Sequence, residues 1–188
     1  TRFDPGMRSD ALRQAWGVER DEVAVIHVGR IAAEKNLELA VKAFRELQSH
    51  RPRARMAWVG DGPQRAAIQR DNPDFIFCGI QRGAELAHHF ASADLFLFPS
   101  LSETFGNVTL EAMASGIPTV AFNYGAAGEH LSNGVHGACV DSDDGFIQAA
   151  VRIGCDDQLR RAMGEKACAA VAALRPDRVA ADFDALLR

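Results

Sequence analysis

The chain has 188 residues, of which 47% are hydrophobic, 24% charged and 7% aromatic. This composition is typical of an ordinary globular domain and argues against disordered, collagen-like and coiled-coil proteins. Asp and Glu total 25 and Lys and Arg total 21, so the formal net charge is -4, whereas a dedicated nucleic-acid-binding domain is commonly basic. We therefore expect residues 1–188 to form a single domain with a full hydrophobic core and no nucleic-acid partner.

Nothing in the sequence indicates a membrane span or secretion. No apolar run approaches the roughly 20 residues that cross a bilayer, and residues 1–5 do not resemble a signal peptide. The four cysteines are not spaced as metal ligands, so we expect them to be reduced and mostly buried in a cytosolic protein. They are Cys78, Cys139, Cys155 and Cys168.

Short apolar segments alternate with amphipathic ones along most of the chain. The predicted strands are residues 23–28, 55–59, 75–78, 95–98, 118–122 and 138–140. The predicted helices are one that Asn36 caps, one ending near Arg70, residues 84–91, residues 108–114, and the chain from residue 143 onward with breaks near residues 156–157 and 176. Alternation of helices with nearly continuous apolar strands predicts an α/β fold, a parallel sheet covered by helices on both faces.

In such a sheet a ligand binds beyond the carboxyl ends of the strands. The first loop at this edge, residues 29–36, contains Arg30 and Lys35 before a helix begins. A guanidinium fork and a mobile ammonium together suit a diphosphate held near a helix N-terminus. Solvated cations beside an ordinary turn would give the same pattern.

Two carboxylates, Glu103 and Glu111, are separated by seven residues across a second strand-to-helix loop, with Glu103 in the loop and Glu111 one turn inside the helix. A carboxylate can accept two hydrogen bonds from the vicinal diol of a sugar. Asn107 is predicted to be the N-cap of the following helix, which would leave the backbone N–H groups of Thr109 and Leu110 for a phosphate. A capped helix with a solvated Glu103 explains the pattern about equally well.

Other features are weaker signals of a site. The turn at residues 60–63 and the segment at residues 125–129 are glycine-marked and could approach a ligand through their backbone, although plain turns explain them nearly as well. His27 lies within an apolar strand and is predicted to be a core histidine rather than a base. His88 and His89 are predicted to be solvated, because adjacent helical side chains point about 100° apart and cannot share a metal well.

In their order and spacing these segments resemble the retaining group 1 glycosyltransferases, whose two Rossmann-like domains form the fold called GT-B. Residues 29–36 resemble their diphosphate loop, and residues 60–63 resemble their Gly-x-Gly-Pro turn. Residues 99–111 resemble their Pro-Ser…Glu-x7-Glu signature, and residues 111–118 the helix and strand that follow it. The resemblance covers most of the chain and implies a Rossmann-like sheet that is one half of GT-B, with a helical C-terminal segment.

The resemblance also implies a role for each matching residue. Arg30 and Lys35 would bind the donor diphosphate and stabilise it as the leaving group, and Glu103 would bind hydroxyls of the transferred sugar. Glu111 would hold the nucleotide ribose, and the backbone at Ile80 would contact the base. The donor-binding set implied in this way is Gly29, Gly60, Ile80, Phe105, Gly106, Asn107, Thr109, Leu110 and Glu111.

Members of this family need no metal ion, so the resemblance implies a UDP- or GDP-sugar donor and no cofactor. The family's N-terminal domain, which binds a glycan or lipid acceptor, has no counterpart here. We therefore expect the donor-binding half of a longer hexosyltransferase, inactive by itself. The full-length enzyme would be cytoplasmic, and a lipid acceptor would place it peripherally at the inner membrane face.

Two alternatives stay open. The first is a non-catalytic nucleotide-binding or nucleotide-sugar-binding module of the same fold. The second is an enzyme similar to nucleotide-sugar epimerases, and the Glu-x7-Glu spacing counts against it only through the resemblance.

Overall fold

A computed structural model describes residues 3–100 and 107–174 of the chain. Its elements, in chain order, are a 3-10 turn (Pro5–Met7), α1 (Asp10–Ala15), β1 (Ala24–Val28), a second 3-10 turn (Ala33–Lys35), α2 (Leu37–His50), β2 (Arg55–Val59), α3 (Arg65–Asp71), β3 (Ile76–Gly79), α4 (Gly83–Ser92), β4 (Leu95–Phe98), α5 (Asn107–Ala114), β5 (Thr119–Phe122), α6 (Gly125–His130), β6 (Gly137–Val140), α7 (Asp143–Cys155) and α8 (Asp157–Ala173).

The strand predictions are confirmed to within one residue at each end. The predicted break near residue 156 is also confirmed: Asp156 ends α7 and caps α8, since its side chain accepts a hydrogen bond from the Leu159 N–H at 2.8 Å. Helix α1, which the Ser9 side chain caps, has no counterpart in the prediction. The predicted break near residue 176 lies outside the described residues.

The six strands of the described part of the chain are all parallel and lie in the order β3-β2-β1-β4-β5-β6. The chain builds outward from β1 to β3, then returns to the other side of β1 and builds outward again from β4 to β6. This is a doubly wound sheet, and its direction of winding reverses between β1 and β4. The predicted α/β fold is confirmed.

Helices cover both faces of the sheet because successive strand residues point to opposite faces. Val25 belongs to the apolar cluster that contains Phe44 of α2 and Phe146 of α7, whereas Ile26 belongs to the cluster that contains Phe90 of α4 and Met113 of α5. All of these side chains are at most 1% exposed. Burying each of them contributes roughly 2 kcal/mol.

A hydrogen-bonded ion pair fastens the amino-terminal edge of the sheet. Arg13 of α1, which is 4% exposed, donates to Asp94 at 2.8 Å and to the backbone oxygens of Ser92 and Glu22. Asp94, which precedes β4, also accepts the backbone N–H of Ala24 at the start of β1. Helix α1 is thus tied to both central strands.

Two expectations about the burial of side chains are wrong, one for the adjacent histidines and one for the cysteines. His89 is buried, not solvated, because its ring lies against Trp16 and its Nδ1 donates to the Glu85 carbonyl oxygen at 2.7 Å. His88 is partly buried and hydrogen-bonded to the Met7 carbonyl oxygen at 2.7 Å. The cysteines are not mostly buried, since Cys155 is exposed and the other three are only half-buried.

Candidate functional site

The candidate site lies where the sheet divides, at the carboxyl ends of β1 and β4. Backbone pairing between these strands stops at Ile26 and Phe96, whereas β1 stays paired with β2 as far as Val28. Strand β4 likewise stays paired with β5 as far as Phe98. The loop after β1 leads to α2 on one face and the loop after β4 leads to α5 on the other, so the two loops border a crevice.

The loop after β1 is anchored by Ile31, which is fully buried and hydrogen-bonded through its backbone to the turn after β2. Arg30 beside it has a side chain that is 67% exposed and lies 3.3 Å from Glu34. Lys35 is half-buried at the end of the second 3-10 turn. The two cations are therefore presented from a rigid loop at the edge of the crevice.

Asn36 departs from its prediction. It occupies the N-cap position of α2, but its side chain makes no capping hydrogen bond. Its backbone adopts the left-handed conformation, with φ of 52°, which asparagine tolerates better than most residues. Asn36 therefore turns the chain from the 3-10 turn into α2 instead of capping the helix with its side chain.

The glycines of the turn after β2 allow close packing between loops. A Cβ on Gly60 would lie 1.9 Å from the Gly29 carbonyl oxygen, and one on Gly62 would lie 2.3 Å from that of Ile31. Backbone N–H groups continue the contacts across the edge, with Gly29 donating to Val59 at 3.0 Å and Gly60 to Gly79 at 2.8 Å. Packing against the β1 loop thus explains why positions 60 and 62 are glycines, without a ligand.

The loop after β4 leads into α5, whose described residues begin at Asn107. Asn107 is already helical, so it is not the non-helical N-cap that the sequence predicts. The predicted contact of the Thr109 and Leu110 N–H groups with a phosphate stays a prediction.

Side chains of α5 differ in burial. Thr109 is 1% exposed and lies in the core. Glu111 is half-buried, and its removal from water raises the pKa of the carboxyl group. The predicted residues Glu103, Phe105 and Gly106 lie outside the described residues.

The structure brings most of the remaining predicted residues to one edge of the sheet. Gly29, Arg30 and Lys35 lie on the β1 side of the crevice, and Asn107 and the rest of the α5 N-terminal turn lie on the β4 side. Gly60 adjoins Gly29. Ile80 follows β3, two strands from β1 and hence about 10 Å away; its side chain is 62% exposed.

Two residues at the same edge were not singled out from the sequence. Ser100 follows β4 after Pro99 and is 4% exposed, and Tyr124 follows β5 after Asn123 and is 55% exposed. Each lies two residues beyond the end of an apolar strand, and this position was the signal that could have identified them.

Within residues 3–100 and 107–174 no group of three His, Cys, Asp or Glu side chains is arranged to hold a metal ion. Helices in the same part of the chain are all too short or too polar to cross a membrane.

Comparison with known proteins identifies the family. The family model described as "Glycosyl transferases group 1" matches residues 22–156. The chain belongs to this family. A GDP-mannose-dependent alpha-mannosyltransferase of Corynebacterium glutamicum is 40% identical over 143 residues, which cover 76% of this chain and 33% of that protein. The sulfoquinovosyl transferase SQD2 of Arabidopsis thaliana is 42% identical over 126 residues, covering 65% of this chain and 24% of that protein.

Solved structures share the fold of this group 1 glycosyltransferase chain. WaaG, a glycosyltransferase involved in lipopolysaccharide biosynthesis, matches 91% of the chain with a TM-score of 0.78 at 20% identity, over 49% of its own length. The C-terminal domain of LpcC from Francisella tularensis matches 90% of the chain with a TM-score of 0.76 at 20% identity, over 96% of its length. The fold is therefore the Rossmann-like, C-terminal half of a GT-B glycosyltransferase, as predicted.

Anabaena HepE, solved in complex with UDP and glucose, matches 99% of the chain with a TM-score of 0.73 at 25% identity, over 54% of its own length. The chain spans about a third or less of the length of the two curated relatives.

Proposed function

We propose that this chain is the donor-binding domain of a retaining hexosyltransferase that uses a nucleoside diphosphate sugar. The observation that carries the proposal is the placement of the two cations, Arg30 and Lys35, and of the half-buried Glu111 on the segments that follow β1 and β4, the strands between which the winding reverses. A nucleoside diphosphate sugar offers the complementary groups, since its phosphates are anionic and its ribose presents a vicinal diol.

The chemistry of transfer suits a pair of cations better than a proton donor. When the bond between the sugar's anomeric carbon and the diphosphate breaks, the bonding electrons leave with the diphosphate, whose negative charge increases. Arg30 and Lys35, positioned beside that charge, would stabilise it in the transition state. No metal ion is required for this step, and Glu103 would bind sugar hydroxyls from the segment after Ser100.

Glu111 is suited to the ribose because its carboxylate accepts hydrogen bonds from two neighbouring hydroxyls. Its half-buried position removes competing water and strengthens those bonds. Burial also raises the pKa of Glu111, so keeping its carboxylate ionised costs folding free energy. Perturbed titration at a crevice is typical of functional groups.

Relatives favour a guanine nucleotide as the first donor to test. The Corynebacterium relative is named GDP-mannose-dependent, as is a Mycolicibacterium smegmatis protein that is 39% identical over 145 residues. HepE and the pneumococcal O-GlcNAc transferase GtfA were instead solved with UDP. Direct titration must therefore identify the base and the sugar of the donor, and GDP-mannose is the first ligand to test.

The test is calorimetric titration of the chain with GDP, UDP, GDP-mannose and UDP-glucose in the presence of a chelator. We expect one diphosphate to bind, and Lys35→Ala or Glu111→Gln to weaken it by about 10- to 100-fold, the value of a hydrogen bond to a charged group. Lys42→Ala and Glu165→Gln, which replace exposed residues on α2 and α8, are the matched controls and should leave affinity unchanged.

Glu111→Gln also separates binding from folding. Because burial places the folded-state pKa of Glu111 above the unfolded value, the ionised carboxylate lowers stability at pH 7, and glutamine does not. The variant should therefore unfold at no lower temperature than the wild type while binding more weakly. Failure of the folded wild-type chain to bind any of the four ligands would contradict the proposal.

Transfer itself requires an acceptor site, which we propose lies on a preceding domain that binds a glycan or lipid. We expect the isolated chain to bind nucleotide and to transfer sugar negligibly. Robust turnover of a donor by this chain alone would show that the second domain is dispensable.

A further inference from the structure

The imidazole of His27 bridges the two strands at which the sheet divides. It is fully buried in β1, and its Nδ1 donates a hydrogen bond to the Leu97 carbonyl oxygen of β4 at 3.1 Å. The last backbone pair between these strands is one residue earlier, Ile26 with Phe96. A side chain therefore supplies the link at the position where the backbone ladder has ended.

The protonation state of this ring follows from its surroundings. A carbonyl oxygen only accepts, so the proton must be on Nδ1, and Nε2 of the neutral ring is an acceptor. Burial is the largest cause that lowers the pKa of His27 to about 4, and the charge of Lys35 lowers it further. The imidazole is therefore neutral near pH 7, with its Nδ1–H committed to Leu97.

The free end of the ring lies below the candidate site. Nε2 has no hydrogen-bond partner among residues 3–100 and 107–174, and a Cβ on Gly29 would lie 3.7 Å from it. Gly29 begins the loop that carries Arg30 and Lys35. The imidazole thus lies next to the start of this loop and joins β1 to the strand that leads to Ser100.

We infer that His27 is a positioning residue for the diphosphate part of the proposed donor site. Its bond to Leu97 holds the loop after β1 at a set separation from the loop after β4. Elsewhere along this edge, backbone hydrogen bonds join the ends of neighbouring strands, with the Gly29 N–H donating to Val59 and the Gly60 N–H to Gly79. At the division the backbone ladder has ended, and the His27 side chain takes the place of the next backbone hydrogen bond between β1 and β4. This inference rests on the proposed function.

A second buried histidine provides a matched control. His89 is 6% exposed, and its Nδ1 also donates to a backbone carbonyl oxygen, that of Glu85 at 2.7 Å. That bond closes one turn within α4 and joins no strands. His89→Phe therefore removes the same type of hydrogen bond from the same type of surroundings, without affecting the division of the sheet.

The experiment compares His27→Phe, His27→Asn, His27→Gln and His89→Phe with the wild type by calorimetric titration. The ligands are the nucleoside diphosphate that the wild type binds, UDP or GDP, and the matching monophosphate. Asparagine places an amide N–H where Nδ1 is, whereas glutamine places its polar group where Nε2 is. Thermal unfolding of each protein establishes that it is folded at the temperature of titration.

We expect His27→Phe and His27→Gln to weaken diphosphate binding by about tenfold, the value of a single hydrogen bond of this kind. Monophosphate affinity should change less, because the cations on the displaced loop act on the diphosphate. His27→Asn should retain most of the wild-type affinity, and His89→Phe all of it. If His27→Asn does not fold, the comparison of the two phenylalanine variants decides.

The outcomes separate this inference from the proposed function. A wild-type chain that binds no nucleotide contradicts both. A wild-type chain that binds, with His27→Phe binding equally well, overturns the inference alone. Equal weakening of diphosphate and monophosphate, or equal weakening in His89→Phe, would mean that His27 acts only on general stability, and this too would overturn it.

Discussion

Arg30 and Lys35, five residues apart in one loop, differ in what surrounds them. The Arg30 side chain is 67% exposed and pairs with Glu34 at the surface, where an ion pair contributes little to stability. Arg30 can therefore leave Glu34 and bind a phosphate with little loss of folding free energy. Lys35 is half-buried close to His27, and its charge lowers the pKa of that imidazole. An anion in the crevice would face one mobile and one constrained cation.

His27 should make the stability of the fold depend on pH. Its pKa falls from an ordinary value of 6.5, which the unfolded chain retains, to about 4 in the folded protein, so the unfolded state binds more protons between these values. The stability that depends on a neutral His27 is fully present above pH 6.5 and is lost as the pH falls toward 4. The free energy of unfolding should fall by about 3 kcal/mol over this range. Urea unfolding at a series of pH values, for wild type and His27→Phe, measures it.

The variant should show a correspondingly shallower loss of stability on acidification. Above pH 7 the histidine is neutral in both states, so the difference between the two proteins should be constant there, which serves as the internal control. Identical pH dependence of the two proteins throughout would mean that His27 is not the group responsible.

At the scale of elements, close backbone packing explains several glycines. The turn after β2 packs on the loop after β1 through Gly60 and Gly62, and helix α5 meets α8 in the same manner. A Cβ on Gly164 of α8 would lie 2.1 Å from the carbonyl oxygen of Gly116, which follows α5. Backbone atoms cannot rotate away as a side chain can, so the spacing of α5 and α8 depends on this contact.

Gly164→Ala tests the contact between these helices. In an exposed helix the change stabilises by about 1 kcal/mol through helix propensity. Here we expect it to lower the free energy of unfolding by about 2 kcal/mol, because α5 and α8 must separate to admit the methyl group. Urea unfolding measures the change, and Glu165→Ala, at the exposed neighbouring position, should alter stability little. A stabilised Gly164→Ala variant would contradict the packing.

At the scale of the whole molecule, opposite edges of the sheet serve different purposes. The carboxyl edge bears the divided strands and the candidate site, whereas the amino edge is closed by Arg13 and Asp94. Asp94 accepts from Arg8, Arg13 and the Ala24 N–H, so one carboxylate joins the N-terminal segment to both central strands. A rigid amino edge helps the strand ends opposite it to keep a defined crevice.

Asp94→Ala should therefore destabilise the entire fold. Removing the carboxylate leaves the guanidinium of Arg13, 4% exposed, without its counter-charge, and breaking one side of a buried pair costs about 3 kcal/mol or more. Urea unfolding would record the loss. Asp71→Ala, which breaks the exposed pair with Arg70, is the control and should not change stability measurably. Equal effects of the two substitutions would refute a structural role for Asp94.

The sequence by itself determined the strands, the α/β class, the loop that carries Arg30 and Lys35 and the helix that carries Glu111. Each of these depends on a local pattern: a short apolar run, a glycine or proline at its end, a charged residue just beyond. Helix α1 escaped prediction because a short helix with a largely exposed surface has little apolar periodicity. The roles of the predicted site residues, from Gly29 to Glu111, stay predictions.

Only the tertiary structure decided which residues come together. The reversal of winding between β1 and β4, the packing of Gly60 on Gly29, the burial of His89 and the bridge from His27 to Leu97 all join segments that are far apart in the chain or depend on neighbours contributed by other elements. No local pattern encodes such contacts, because they are made by the packing of helices and strands around a shared core. His27 looked like a core residue in the sequence, and its place between diverging strands became visible only in the folded sheet.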